Sequence, residues 1–316
     1  MKHFMTTTIL AAALALPLSV QAADYTIMAP AAPGGGWDQT ARSMQEALTA
    51  DGISGNVQVV NVPGAGGTIG LAQFAQEANG DPSKLIVGGY VMVGAILTIK
   101  SPVTLADITP IARMTGEYEV IVVPTGSDIK DLAGLTEKLK ADPGAVSWAG
   151  GSAGGTDHIT AGLFAKTVGV DPTKVNYIAF SGGGEALAAV LGSQVTVGIS
   201  GYGEFQAQVE AGALRVIGVS APERVAVIDA PTFKESGVDL VVQNWRMVAA
   251  GPGLSAEQVA AITADIEKMA NSASWKATLE TKGWINTWLA GDEFKATLDN
   301  EIAATEAILK EIGLVQ

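Results

Sequence analysis

The chain has 316 residues, 48% hydrophobic, 16% charged and 6% aromatic, a composition too apolar for a disordered polypeptide and long enough for two lobes or one large one. Its 38 glycines and its lack of cysteine exclude a disulfide scaffold, a zinc ribbon and a thiol enzyme. Lys and Arg number 19 against 32 Asp and Glu, for a formal charge of −13, and the absence of a basic stripe argues against a nucleic-acid partner.

Residues 1–22 read as an export signal. Lys2 gives a positive start, residues 9–20 a short apolar stretch, and Val20-Gln21-Ala22 a small-x-Ala cleavage site, so a mature chain is expected to begin at Ala23. The stretch is shorter than the ~20 residues that a spanning helix needs, and Pro17 breaks it. The expected location is therefore the periplasm.

Beyond the signal one unit recurs: a short apolar strand, a glycine cluster, then a helical pattern. Residues 25–30 lead into Gly34, Gly35 and Gly36 and a helix with Ala41, Met44 and Leu48 on one face. Residues 57–62 lead into Gly64, Gly66 and Gly67, then Leu71, Phe74 and Ala78. Residues 146–149 lead into Gly150, Gly151, Gly154 and Gly155, then Ala161, Phe164 and Val168. Residues 175–180 lead into Gly182, Gly183 and Gly184, then Leu187, Val190 and Leu191. These spacings predict strand, tight loop and amphipathic helix four times over, hence an α/β fold with largely parallel sheets flanked by helices.

Further strands are predicted at 85–89, 195–200 and 214–219. The tail is predicted helical, with a capping box of Ser255 and Gln258 opening one helix to about Met269 and a long helix from about Asp292 to Ile312. Two similar halves with a returning tail suggest a clamshell. One lobe would be formed by 23–122 with 240–316 and the other by 123–239, with a two-strand hinge near 120–124 and 240–247.

A glycine loop between a strand and a helix leaves several amides unpaired, and the helix dipole makes that point attractive to anions. Four such loops, two per half, would converge on a cleft. The Walker pattern and the dinucleotide fingerprint are both absent, and no loop carries a Lys or Arg, which favours carboxylates over phosphates. The hydroxyls of Thr68, Ser152, Thr156 and Ser181 would add donors. Asp38 either caps the first helix or holds its loop in the anion-binding pose.

Trp37, Tyr90 and Tyr202 follow glycines at strand ends, where each either packs or touches ligand. Trp245 and Arg246 read as hinge packing, and Trp275, Trp284 and Trp288 as core around the tail helices. Gly150-Gly151-Ser152-Ala153-Gly154 also fits a nucleophile elbow. A hydrolase needs a later His, however, and the only His beyond the signal is His158, six residues on along the same helix. With that single His, neither a metal site nor a cofactor is expected. A ligand bearing an ammonium group would need an acidic wall, for which Glu185 and Glu204 are the candidates.

The ensemble Pro33-Gly34-Gly35 with Asp38, Ala41 and Arg42, Val62-Pro63-Gly64-Ala65-Gly66-Gly67, Gly151-Ser152 with Gly154 and His158, Gly182-Gly183, Gly212-Ala213-Leu214-Arg215 and Pro231-Thr232 with Glu235 and Gly237 resembles the substrate-binding proteins of tripartite tricarboxylate transporters, the Bug/TctC-type family. The resemblance runs through the whole chain after the signal. It implies a two-lobed, type II-like periplasmic binding fold that acts as a monomer, closes on a carboxylate and delivers it to a membrane permease, without catalysis. It further implies that loops 34–38 and 64–68 offer first-lobe amides, partly through water. Loops 151–156 and 181–184 would close from the second lobe. The Gly36-Trp37 pair replaces smaller residues of many members and resembles the branch associated with citrate-type acids, whereas Gly154-Gly155 departs from the usual Gly-x-Gly spacing.

Overall fold

A computed structural model describes residues 23–316; the expected export signal lies outside the described residues. Strand β1 (Ala23–Ala29) leads through the first glycine loop to α1 (Gly36–Ala50), then to β2 (Ser54–Asn61), α2 (Thr68–Glu77), β3 (Lys84–Gly89) and α3 (Tyr90–Ile99). The 16-residue strand β4 (Thr109–Pro124) leaves this half. The second half holds α4 (Leu132–Ala141), β5 (Ser147–Gly150), α5 (Thr156–Thr167), β6 (Asn176–Ala179), α6 (Gly183–Leu191), β7 (Val197–Gly201), α7 (Tyr202–Glu210) and β8 (Leu214–Val219). The chain returns on β9 (Gln243–Ala250) and finishes with α8 (Ala256–Asn271), α9 (Ala273–Lys282), β10 (Ile285–Ala290) and α10 (Gly291–Glu311).

The strands lie in the order β2-β1-β3-β9-β4-β7-β5-β6, with β8 and β10 also pairing with β4. The outer triplets β2-β1-β3 and β6-β5-β7 are parallel, as strand–loop–helix units require. The pairs made by β9 and β4 in the middle are antiparallel, because these strands carry the chain from one half to the other and back. The first crossing stretch is longer than predicted, whereas the second has the predicted length and lies three residues later. The apolar runs were visible, but the ladder also takes in polar positions such as Arg113, Glu117 and Asn244.

Three apolar clusters follow from the strand and helix periodicities. The first joins Ile27, Leu85 and Ile86 of the sheet to Met44 and Leu48 of α1, Phe74 of α2, and Ile266, Trp275, Phe294 and Leu298 of the tail. The tail thus packs back on the first half. In the second half β4 alternates, with Ile121 and Val123 facing Trp148 and Phe164 on one side and Val120 and Val122 facing Val190 and Phe205 on the other. Trp275 and Trp284 are buried as expected. Trp288 is only half-buried because it sits on β10, an edge strand that the sequence reading took for helical surroundings.

Helix α8 begins where expected. Ser255 accepts from the Gln258 amide at 3.3 Å, and the Gln258 side chain accepts from the Ser255 amide at 2.8 Å. Ser255→Ala is expected to cost about 1 kcal/mol, read as a lower urea midpoint with an unchanged slope; a midpoint equal to that of the parent would show that the cap contributes nothing.

Candidate functional site

The four glycine loops meet in a cleft between the two halves. Gly35, Gly36 and Trp37 come from the first loop and Gly67 from the second; Gly151, Ser152, Gly155, Thr156 and Asp157 come from the third, and Ser181, Gly182 and Gly183 from the fourth. Ser200 and Glu204 enter from β7 and α7, and Asn244 and Arg246 from β9. The fold thus brings together the loops that the sequence singled out, at the strand ends where open α/β sheets bind ligands.

An acidic side chain from the following helix turns back onto three of the loops. Asp38 accepts from the Gly34 amide at 2.8 Å, from Asn61 at 2.9 Å and from Arg42 at 3.0 Å. Burial pushes the Asp38 carboxyl up, but Arg42, the Gly34 amide and Asn61 together hold it below the usual range. Asp157 accepts from the Gly151 amide at 2.6 Å, and Glu185 from the Ser181 amide at 3.0 Å. These carboxylates fix the loops, and they also occupy amides that an unpaired loop would offer. Of the first-turn amides, that of Gly36 is taken by Glu204 at 2.6 Å, and those without an acceptor are left as donors.

The cleft wall carries more acid than the sequence suggested. Arg246, 3% exposed, is ion-paired through Nη2 with Glu117 and lies over the Trp284 ring at 5.1 Å. Its Nη1 is buried with no hydrogen-bond partner. Trp284 donates to Glu117 at 3.0 Å, and Asn244 bridges Thr156 at 3.2 Å to Glu117. Glu119 is fully buried and neither oxygen meets a donor. Burial and the neighbouring Asp157 and Glu117 hold it well above the usual carboxyl range. Burial likewise lifts Asp157 to about 6 and Glu204 to about 7, the latter with the help of Asp157 and Glu117 and against Arg246.

Other predicted residues lie elsewhere. Gly34 and Asp38 stand behind the loop, bonded to each other. Thr68 donates to Ala65 at 2.8 Å and so closes its own turn. Gly66 and Ala153 line an adjoining depression shared with Ser152, Ser181 and Glu185. Tyr90 is buried, stacked on Trp245 with centroids 6.3 Å apart, and Tyr202 packs in the second half's core. His158 stacks on Tyr177 at 4.1 Å and accepts from the Gly154 amide at 3.3 Å; burial lowers it to about 4. Committed to these contacts, it does not form the Ser–His pair that the elbow pattern of Ser152 would need.

Sequence reasoning assigned Arg246 to hinge packing and passed over Asp157, Ser200 and Asn244. A signal did exist: Glu117 and Glu119 alternate inside an apolar strand, and Arg246 sits in another, where unpaired charge is costly. Among the described residues no group of three acidic or His side chains is arranged to hold a metal ion, and no helix is long and apolar enough to cross a membrane.

The model of the tripartite tricarboxylate transporter family receptor matches residues 40–314. The chain belongs to this family. As a TctC-type receptor it is a solute-binding protein with the fold of periplasmic binding proteins. It is 25% identical to Protein BugT of Bordetella pertussis over 312 residues, 96% of this chain and 94% of that protein. The periplasmic binding protein BugD has a TM-score of 0.80 at 22% identity, covering 92% of this chain and 98% of that one. MatC from Rhodopseudomonas palustris with bound malate gives 0.77 at 23%, covering 93% and 100%. An R. palustris protein with adipate gives 0.81 at 21%, covering 92% and 97%.

Proposed function

We propose that this TctC-type receptor captures a small di- or tricarboxylate of the citrate kind in the periplasm, as a monomer and without a cofactor, and hands it to the permease of a tripartite tricarboxylate transporter. The observation that carries this reading is the convergence of four loop–helix starts, two from each half, on one cleft that holds a buried, half-paired guanidinium. Amides and hydroxyls at such starts hold carboxylates well, and Arg246 Nη1 needs an acceptor that the protein does not supply. The malate and adipate found in two proteins of this fold are consistent with it. We take 23–122 with 240–316 as one lobe and 123–239 as the other, and ligand favours closure by touching both. Catalysis is not part of the proposal.

One observation favours a second reading. Glu204 and Asp157 line the cleft, which suits an ammonium group and hence an amino acid. A thermal-melt panel separates the two readings. Citrate, malate, succinate or adipate at about 100 times its Kd is expected to add ~2.7 kcal/mol and raise Tm by several degrees. No response to any acid, with a rise for amino acids, would favour the second reading.

A further inference from the structure

We propose that Glu204 is the specificity-determining residue of the cleft, and that a carboxylate solute is captured only against its neutral acid form, so that binding takes about one proton from solution. The proposal rests on the carboxylate reading above. Glu204 belongs to α7 in one half, yet its Oε1 accepts from the Gly36 amide at the start of α1 in the other, at 2.6 Å. Its Oε2 accepts from the Ser200 hydroxyl at 3.0 Å. A Cβ at Gly183 would collide with this carboxyl, and one at Gly36 would collide with Arg246 and crowd Glu204. The protein's own acid therefore sits on the seat that the first helix start offers to a ligand anion.

The cations near it are already engaged by other groups. Asp157 faces it from α5, Glu117 and Glu119 from β4, and Arg246 from β9 with its charge matched by Glu117. Lys282 of α9 lies over the Trp284 ring at 5.4 Å, and its Nζ donates to Gln39 at 3.4 Å. Asp38 of α1 is committed to Gly34 and Arg42, Glu185 of α6 to the Ser181 amide, and His158 of α5 is stacked on Tyr177. Glu204 and Asp157 thus share a cleft with one guanidinium that is already paired.

An arriving carboxylate cannot remain ionised beside an ionised Glu204 without strong repulsion. Protonated, Glu204 becomes a donor, and an O–H···O− bond to the ligand replaces the repulsion. Near neutral pH the proton is close at hand, since Glu204 already titrates at about 7. A ligand anion raises it further, so affinity falls as pH rises past neutrality. An ammonium ligand would do the reverse, expelling the proton and binding better at high pH. The buried and unpartnered Arg246 Nη1, in the same cleft, points independently to a ligand that brings an acceptor.

The test is isothermal titration of the full chain with malate and adipate between about pH 7 and pH 8.5, where both ligands are fully ionised and bring no proton of their own. Each titration is run in phosphate and in Tris, whose ionisation heats differ. The expected result is uptake that rises from about half a proton at pH 7 to nearly one at pH 8.5, with a loss of affinity approaching tenfold per pH unit at the upper end. E204Q is expected to bind with that slope abolished. Binding without proton exchange, or an equal slope in E204Q, would overturn the proposal, and so would proton release on binding. The two-buffer count on the unaltered chain decides the matter whether or not the variant folds. Absence of binding by any acid in the panel is a different failure, that of the carboxylate reading itself.

Discussion

Gly94→Ala is expected to weaken ligand binding ten- to a hundredfold while leaving the unliganded protein as stable as the parent, or more so. Gly94 lies on α3 in the first half, and a Cβ there would be driven into the backbone carbonyl of Gly154 and against Gly155, both from the third glycine loop of the second half. The three nearest atoms to that Cβ position all belong to this loop, so the clash opposes apposition of the halves. Backbone cannot step aside as a side chain would. Overpacking of this kind costs ~1–3 kcal/mol, which converts to the stated loss of affinity. Within α3 the same change removes a helix-interior glycine and contributes up to ~1 kcal/mol of stability. Calorimetry should show the weaker binding, and small-angle scattering with saturating ligand a larger radius of gyration. Parental affinity in a folded variant would mean that the two halves do not approach at Gly94 when ligand binds.

Arg246→Leu is expected to give the largest loss of stability. Breaking a buried ion pair from one side leaves a charge without compensation, at a cost of about 3–5 kcal/mol or on the order of 10 °C in Tm. Here the abandoned partner is Glu117, in a wall that also holds Glu119, Asp157 and Glu204. The deficit should grow with pH. Asp157 and Glu204 titrate at about 6 and 7 in the folded chain, above their unfolded values, so their favourable contribution is complete in acid and is lost as pH rises through those values. Arg246 restrains the rise of Glu204, and without it ionised wall carboxyls go unopposed. Melting of the variant should therefore fall further below the parent at pH 8 than at pH 5. The double change Arg246→Leu with Glu117→Gln should recover much of the loss. A single variant melting within about 2 °C of the parent at pH 8 would show that the pair is not needed.

The repeated unit was legible because each piece has its own local signature. Alternating apolar residues give the strands, glycines the loops, and residues such as Ala41, Met44 and Leu48 a single helical face. The capping box of Ser255 likewise states its helix start outright. What the sequence hid depends on partners distant along the chain. Strand β10 has a pattern that is plain only against β4, and Arg246 is a cleft residue only because β9 lies beside Glu117. Glu204 was visible as an acid after a glycine, but its bond to Gly36, 168 residues away, follows from the closure of the fold. The glycine loops converge on one cleft as a set. Their amides proved partly committed to Asp38, Asp157 and Glu185, first-turn acids whose helix-dipole preference reads the same in sequence whether the side chain faces solvent or folds back.

The long strand β4 pairs with β9 as far as Tyr118 and with β7 from Glu119 onward. A single unbroken span therefore belongs to both sheets, and no loose joint lies at the point of exchange. Any opening of the two halves would have to wring this ribbon with its rungs still bonded, and so would store elastic torsion in it. Such resistance would limit the travel of the two walls, across which Glu204 of one half reaches the Gly36 amide of the other.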